Sequence, residues 1–273
     1  MQAVPVSAVR RGFGQTARRD RWWTTPALIF VGFSAFIVYA TWAAFQNAHY
    51  TWGPYLSPFY SPVLFVSPGD AAGLAHAWFG VKPEWFPGFL PFSPALLILP
   101  FPGLFRFTCY YYRGAYYKSF WADPPACAVG EPRKGYRGEH SFPLILQNIH
   151  RYFMWVAIVF IALLAWDVWL AMWFTDPVTG QAQFGVGVGT LVLAVNVVLL
   201  ASYTWGCHVL RHVVGGRLNE VSKSPVCDFA YECASSLNGR HQLFAWCSLF
   251  SVMSSDLYVR LCSMGVITDL RIF

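Results

Sequence analysis

Residues 187–216 read GVGTLVLAVNVVLLASYTWGCHVLRHVVGG, and the first 20 of them carry no charged side chain. At 1.5 Å per residue, a run of that length matches the roughly 30 Å hydrocarbon core of a bilayer. After Trp205 the run gives way to Cys207, His208, Arg211 and His212. A lipid-embedded helix, expected over 185–210, therefore meets a basic edge that carries a thiol and two imidazoles. His208 and His212 are four residues apart, which sets them on one face of a helix. Imidazoles in such a place point to a proton, a metal or a quinone.

The rest of the chain fits that membrane reading. Of 273 residues 56% are hydrophobic and 19% aromatic, while only 12% are charged, a balance far from that of a water-soluble domain. Further apolar runs predict spans over 27–45, 88–112, 149–174 and 241–266. The expected fold is thus an all-α integral membrane bundle of five transmembrane helices. The second span has to tolerate Pro91, Pro94, Pro100 and Pro102, and neighbouring helices can satisfy the carbonyls these free. Residues 1–25, with five arginines, read as a basic arm. The stretch 46–87 is too broken by Pro and Gly to cross as one helix and reads as an extracytoplasmic cap with short interfacial helices.

Most of the 19 Lys and Arg fall in the arm, the 113–143 loop and the 213–240 loop, against Lys82 and Arg271 on the opposite side. By the positive-inside rule this places the N-terminus in the cytoplasm and the chain in the cell membrane as a multi-pass protein. The net charge of +6 is then largely topology, and nucleic acid is not an expected partner. Asp167, Asn196, Asp256 and Arg260 fall within spans, where polar groups are costly and call for partners. Asp256 and Arg260 have the i, i+4 spacing of a helical ion pair.

Alternating helices bring Cys109, Cys127, His150, His208 and His212 to one membrane depth, the cytoplasmic edge. Two thiolates and two imidazoles suit a Rieske-type [2Fe–2S] centre. Two imidazoles from facing helices, such as His150 and His208, suit haem b, and a Cys₂His₂ zinc site lacks the compact spacing of a finger. Spacing alone leaves these open. Seven cysteines, several of them in membrane or cytoplasm, do not make a disulfide framework. Cys207, Cys247 and Cys262 read as small packing residues, and His49, His76 and His241 as interfacial or hydrogen-bonded. A rim of Tyr112, Arg113, Tyr116, Tyr117 and Trp205 combines phenols with a cation and suits a quinone head group. A membrane scaffold or transporter without redox chemistry is the reading of a different class.

Three stretches carry a resemblance: FTCYYYRGAYYKSFWADPPACAV at 107–129, FPLILQNIHRYF at 142–153 and the opening run at 187–216. Together they resemble the membrane-anchor, cytochrome b-like subunits of actinobacterial succinate dehydrogenase, respiratory complex II. The resemblance implies docking of a flavoprotein with covalent FAD and of an iron–sulfur subunit with further clusters. It also implies transfer of electrons from succinate to menaquinone or ubiquinone, by a subunit that is not catalytic alone. A higher oligomer of such complexes is compatible with it. Five-span anchors with two b haems use four histidines in four helices, and this chain has no axial pair near its outer face. The mycobacterial-type branch implies a membrane-embedded Rieske-type cluster instead. Carried over, its ligands are Cys109, Cys127, His208 and His212, with His150 as the alternative imidazole.

Overall fold

A computed structural model describes residues 12–89, 91–123, 125–126, 128–130, 141–142, 144–176, 178–216 and 218–273. Helix α1 runs Thr24–Gln46, and a two-residue hairpin follows, β1 (Thr51–Trp52) with β2 (Tyr55–Leu56). Short helices α2 (Ala71–Leu74), α3 (Pro94–Ile98), α4 (Pro100–Phe107) and α5 (Tyr110–Phe120) come next. A 3₁₀ turn at Leu144–Ile149 leads into α6 (His150–Leu170), and a second hairpin pairs β3 (Trp173–Thr175) with β4 (Ala182–Phe184). The chain continues through α7 (Val188–Trp205), α8 (His208–Gly215), α9 (Pro225–Asn238) and α10 (His241–Ser263).

Among the described residues three helices are long and apolar enough to cross a membrane: Thr24–Gln46, Ile145–Leu170 and Val188–Trp205. Each leaves large apolar side chains uncovered, such as Leu28 and Val38 on α1, Val159 on α6 and Val198 on α7, as a lipid-facing helix must. The 88–112 span is not one helix. Prolines 94 and 100 each open a new helix, because Pro lacks the N–H that would continue the preceding one. The fourth apolar run is also divided, since α7 ends at Trp205 and α8 begins at His208. Helix α10 matches α1 in length, but Asp256, Arg260 and several serines set its composition apart from the three apolar helices.

The chain divides into two compact units. One comprises residues 1–35 and 106–149. Its core brings Phe33 against Tyr112 at 5.1 Å between ring centroids, and Phe30 against Phe120 at 4.8 Å, so α5 is held to the start of α1 by aromatic contacts.

The other unit comprises residues 36–105 and 150–273. Here α7 packs along both α10 and α6. The segment after α1 folds over this bundle as a cap that includes the short helix α2, around buried Tyr50, Phe59, Tyr60, Val63 and Val66. Tyr50 and Tyr60 stack at 4.2 Å, and the Tyr60 hydroxyl donates to the Ala43 carbonyl at 2.6 Å. Tyr55 reaches further, donating to Asp269 at 2.8 Å, and Tyr258 donates to the same carboxylate at 2.6 Å. Gly187 and Gly189 at the start of α7 serve this contact. A Cβ on Gly189 would lie 2.4 Å from the Tyr55 ring, so the helix approaches the cap only because that residue is glycine.

The expected ion pair is present. Asp256 and Arg260 are both almost fully buried, with Arg260 Nε 3.4 Å from Asp256 Oδ2. Tyr39 donates to the same carboxylate at 2.6 Å, Ser57 donates to its other oxygen, and Arg260 Nη1 donates to the Ala48 carbonyl at 2.8 Å. Asp167 accepts a hydrogen bond from Ser61.

Candidate functional site

The Trp205–Cys207 break has a physical cause. Asn238 at the end of α9 donates to the Gly206 carbonyl at 2.8 Å, and a Cβ on Gly206 would meet the Leu237 backbone at 3.1 Å. Gly206 thus lets α9 cross the end of α7, and the helix stops there. Cys207 becomes the N-cap of α8 in an extended conformation (φ −69°, ψ 137°), with no capping hydrogen bond from its side chain. Cys109 repeats the arrangement locally. It follows the end of α4, has φ −64° and ψ 134°, and is the N-cap of α5 without a side-chain cap bond. Both thiols therefore sit at helix N-termini, and neither side chain makes a capping hydrogen bond.

Cys207 Sγ lies 3.1 Å from Nε2 of His150, the first residue of α6. Both are buried, at 4% and 6% exposure, so this thiol–imidazole pair is shielded from water. Phe105 stacks on the His150 ring at 4.7 Å and 7°, which fixes its plane. The edge of Tyr203 meets Phe105 at 5.6 Å, and its face stacks on His241 at 4.8 Å. His241 is the first residue of α10. Cys207 and His241, read from sequence as packing and interfacial residues, thus join His150 in one aromatic-walled cluster. The glycine immediately before Cys207 was the available signal.

His208 and His212 meet as their spacing requires, with Nε2 atoms 2.9 Å apart on exposed α8. Partial burial holds His208 below the usual histidine pKa, and His212 and Arg211 lower it further. His150 and His208, weighed as a haem pair, each turn Nε2 to another side chain. Cys127 lies outside the described residues. Among the described residues, no group of three or more His, Cys, Asp or Glu is gathered closely enough to hold a metal ion.

The expected quinone residues divide between the units. Tyr112, Arg113, Tyr116 and Tyr117 share α5, while Trp205 ends α7 and is exposed. Tyr112 is buried and accepts a hydrogen bond from Arg106 at 2.7 Å. Arg113 donates to Gln147 Oε1 at 2.6 Å and lies 4.3 Å over the Tyr110 ring. Tyr116 packs among Phe107, Tyr117, Phe120 and Trp121. An oriented guanidinium beside several phenols can hold a flat, two-carbonyl ligand by hydrogen bonds and stacking.

Three long apolar helices with uncovered apolar side chains define a polytopic membrane protein. Residues 24–265 match the family described as actinobacterial succinate dehydrogenase subunit SdhC, and the chain belongs to that family. It is similar to a chain of the Mycobacterium smegmatis Sdh1 complex in the apo form, with 43% identity over 98% of each chain and a TM-score of 0.83. No protein among those with curated descriptions matches. The chain is therefore a multi-pass membrane subunit of succinate dehydrogenase, which sets aside the transporter reading.

Proposed function

We propose that this subunit anchors the flavoprotein and iron–sulfur subunits of succinate dehydrogenase to the membrane and relays their electrons to a quinone through a Rieske-type [2Fe–2S] cluster. The observation that carries the proposal is the buried contact between His150 and Cys207. Its donor chemistry fits such a cluster, which needs two thiolates on one iron and two imidazoles on the other. Cys207 lies directly before α8, and His150 and His241 each begin a helix. When bound, the cluster supplies one-electron transfer between the soluble iron–sulfur chain and the quinone.

The remaining roles belong to the protein's own groups. Phe105 and Tyr203 hold the imidazole planes and exclude water around them. Arg113, oriented by Gln147, donates to a quinone carbonyl, with Tyr116 and Tyr117 closing the head-group site. A cytoplasmic N-terminus, as the distribution of Lys and Arg implies, would set these helix ends on the side where the soluble subunits dock. The approach of His208 and His212 at 2.9 Å supports a second assignment, in which this pair supplies the imidazoles.

Electron paramagnetic resonance, iron analysis and quinone reduction on the purified complex test both. Replacing His150 and His241 with Ala should abolish the low-g Rieske signal and quinone reduction, while His208→Ala with His212→Ala should spare them. The opposite pattern moves the ligands to α8. A wild-type complex containing haem and no such signal refutes the cluster.

A further inference from the structure

At the end of α6 away from His150, the cap closes over a cavity of about 230 Å³, whose walls include Ser61, His76, Trp78, Trp166 and Asp167. Asp167 lies three residues before α6 ends at Leu170, about 4.5 Å along the helix axis, which places it near head-group depth. Trp166, Trp169 and Trp173 are uncovered around this level, as in the aromatic belt of a membrane protein.

The acceptors of the cavity are the Asp167 carboxylate and one nitrogen of His76, beside the N–H groups of Trp78 and Trp166. Ser61 donates its proton to Asp167, which orients the carboxylate. No Lys or Arg is among the described lining residues, so the negative charge is not balanced within the walls. Burial pushes the His76 pKa below its usual value, so the ring is neutral and keeps a lone pair. A carboxylate, a neutral imidazole and two indoles call for a cation with several N–H donors.

We propose that this cavity binds the primary ammonium of a phosphatidylethanolamine head group from the leaflet on the cap side. Asp167 is its counter-charge, His76 its second acceptor, and Trp78 and Trp166 flank it. An ammonium has three donors to distribute between carboxylate and imidazole, and the indole faces add cation–π attraction. A choline head group keeps the cation–π term but offers no N–H, leaving the carboxylate desolvated without a new hydrogen bond. A quinone fits less well. It would turn carbonyl acceptors toward the carboxylate, and Asp167 is 17 residues from His150 along α6, about 25 Å, too far for direct electron exchange with a centre there.

Native mass spectrometry of the purified complex, exchanged into phosphatidylethanolamine or phosphatidylcholine with identical acyl chains, tests the proposal. The wild-type complex should retain phosphatidylethanolamine by about tenfold or more over phosphatidylcholine, the scale of a charge-assisted hydrogen bond. Asp167→Asn should erase the preference. Trp166→Leu alters an exposed position and should weaken it a few-fold; this variant decides the matter if Asp167→Asn fails to assemble. Equal retention of the two lipids by wild type, a preference that survives both substitutions, or quinone retained in place of lipid and lost with Asp167→Asn would each overturn it.

Discussion

Replacing Arg260 with Leu removes the cation from the most buried charged cluster in the unit that holds the cap. Asp256 would keep the hydroxyls of Tyr39 and Ser57 but lose its counter-charge at 3.4 Å. The Ala48 carbonyl would lose its 2.8 Å donor, and Trp42 the guanidinium 5.1 Å from its ring centre. Breaking one partner of a buried pair typically costs about 3–5 kcal/mol, because the surviving charge stays buried. Since Ala48 and Ser57 are cap residues and Tyr39 lies on α1, the loss should appear as loosening of the cap first. Denaturant unfolding of the detergent-solubilised complex, with hydrogen exchange of residues 47–66, measures it. The double variant Asp256→Leu/Arg260→Leu removes both charges and should be less destabilised than the sum of the single changes by about 2 kcal/mol or more. If Arg260→Leu costs less than about 1 kcal/mol, or the two substitutions are additive, the cluster does not hold the cap.

Gly189→Ala places a Cβ 2.4 Å from the Tyr55 ring and should lower stability by about 1–3 kcal/mol, read as a lower unfolding midpoint. Burial lowers the His76 pKa in the folded protein, so the unfolded chain takes up this proton first as pH falls. Its stability contribution is therefore complete above about pH 6.5 and declines below that value until the folded-state pKa is passed. His76→Gln should flatten the dependence of the melting temperature on pH below about 6.5. Arg113→Leu should raise the KM for quinone by about tenfold, with a smaller change in kcat, and Arg113→Lys should restore part of the affinity. A change in kcat alone would move Arg113 out of the head-group site.

The apolar runs made α1, α6 and α7 legible because hydrocarbon thickness fixes the length of a spanning helix whatever its neighbours are. Paired acids could be foreseen for a similar reason, since an intramembrane charge must find a partner, and Asp256 finds Arg260 one turn away. The cap was opaque because its order depends on contacts far apart in sequence, such as Tyr55 with Asp269 and Ser57 with Asp256. The chemistry of the helix ends was legible, but the contact between His150 and Cys207 was not. Hydropathy carries the fourth span straight through Gly206, so Cys207 looks like one more small residue on a lipid-facing helix. The α9 backbone crossing at Gly206 ends that helix, and only then does Cys207 become an N-cap thiol beside His150. Periodicity reports which way a residue faces while a helix continues. Where a tertiary crossing stops the helix, the glycine that permits the crossing is the local signal, and the residue after it has to be judged as a helix start.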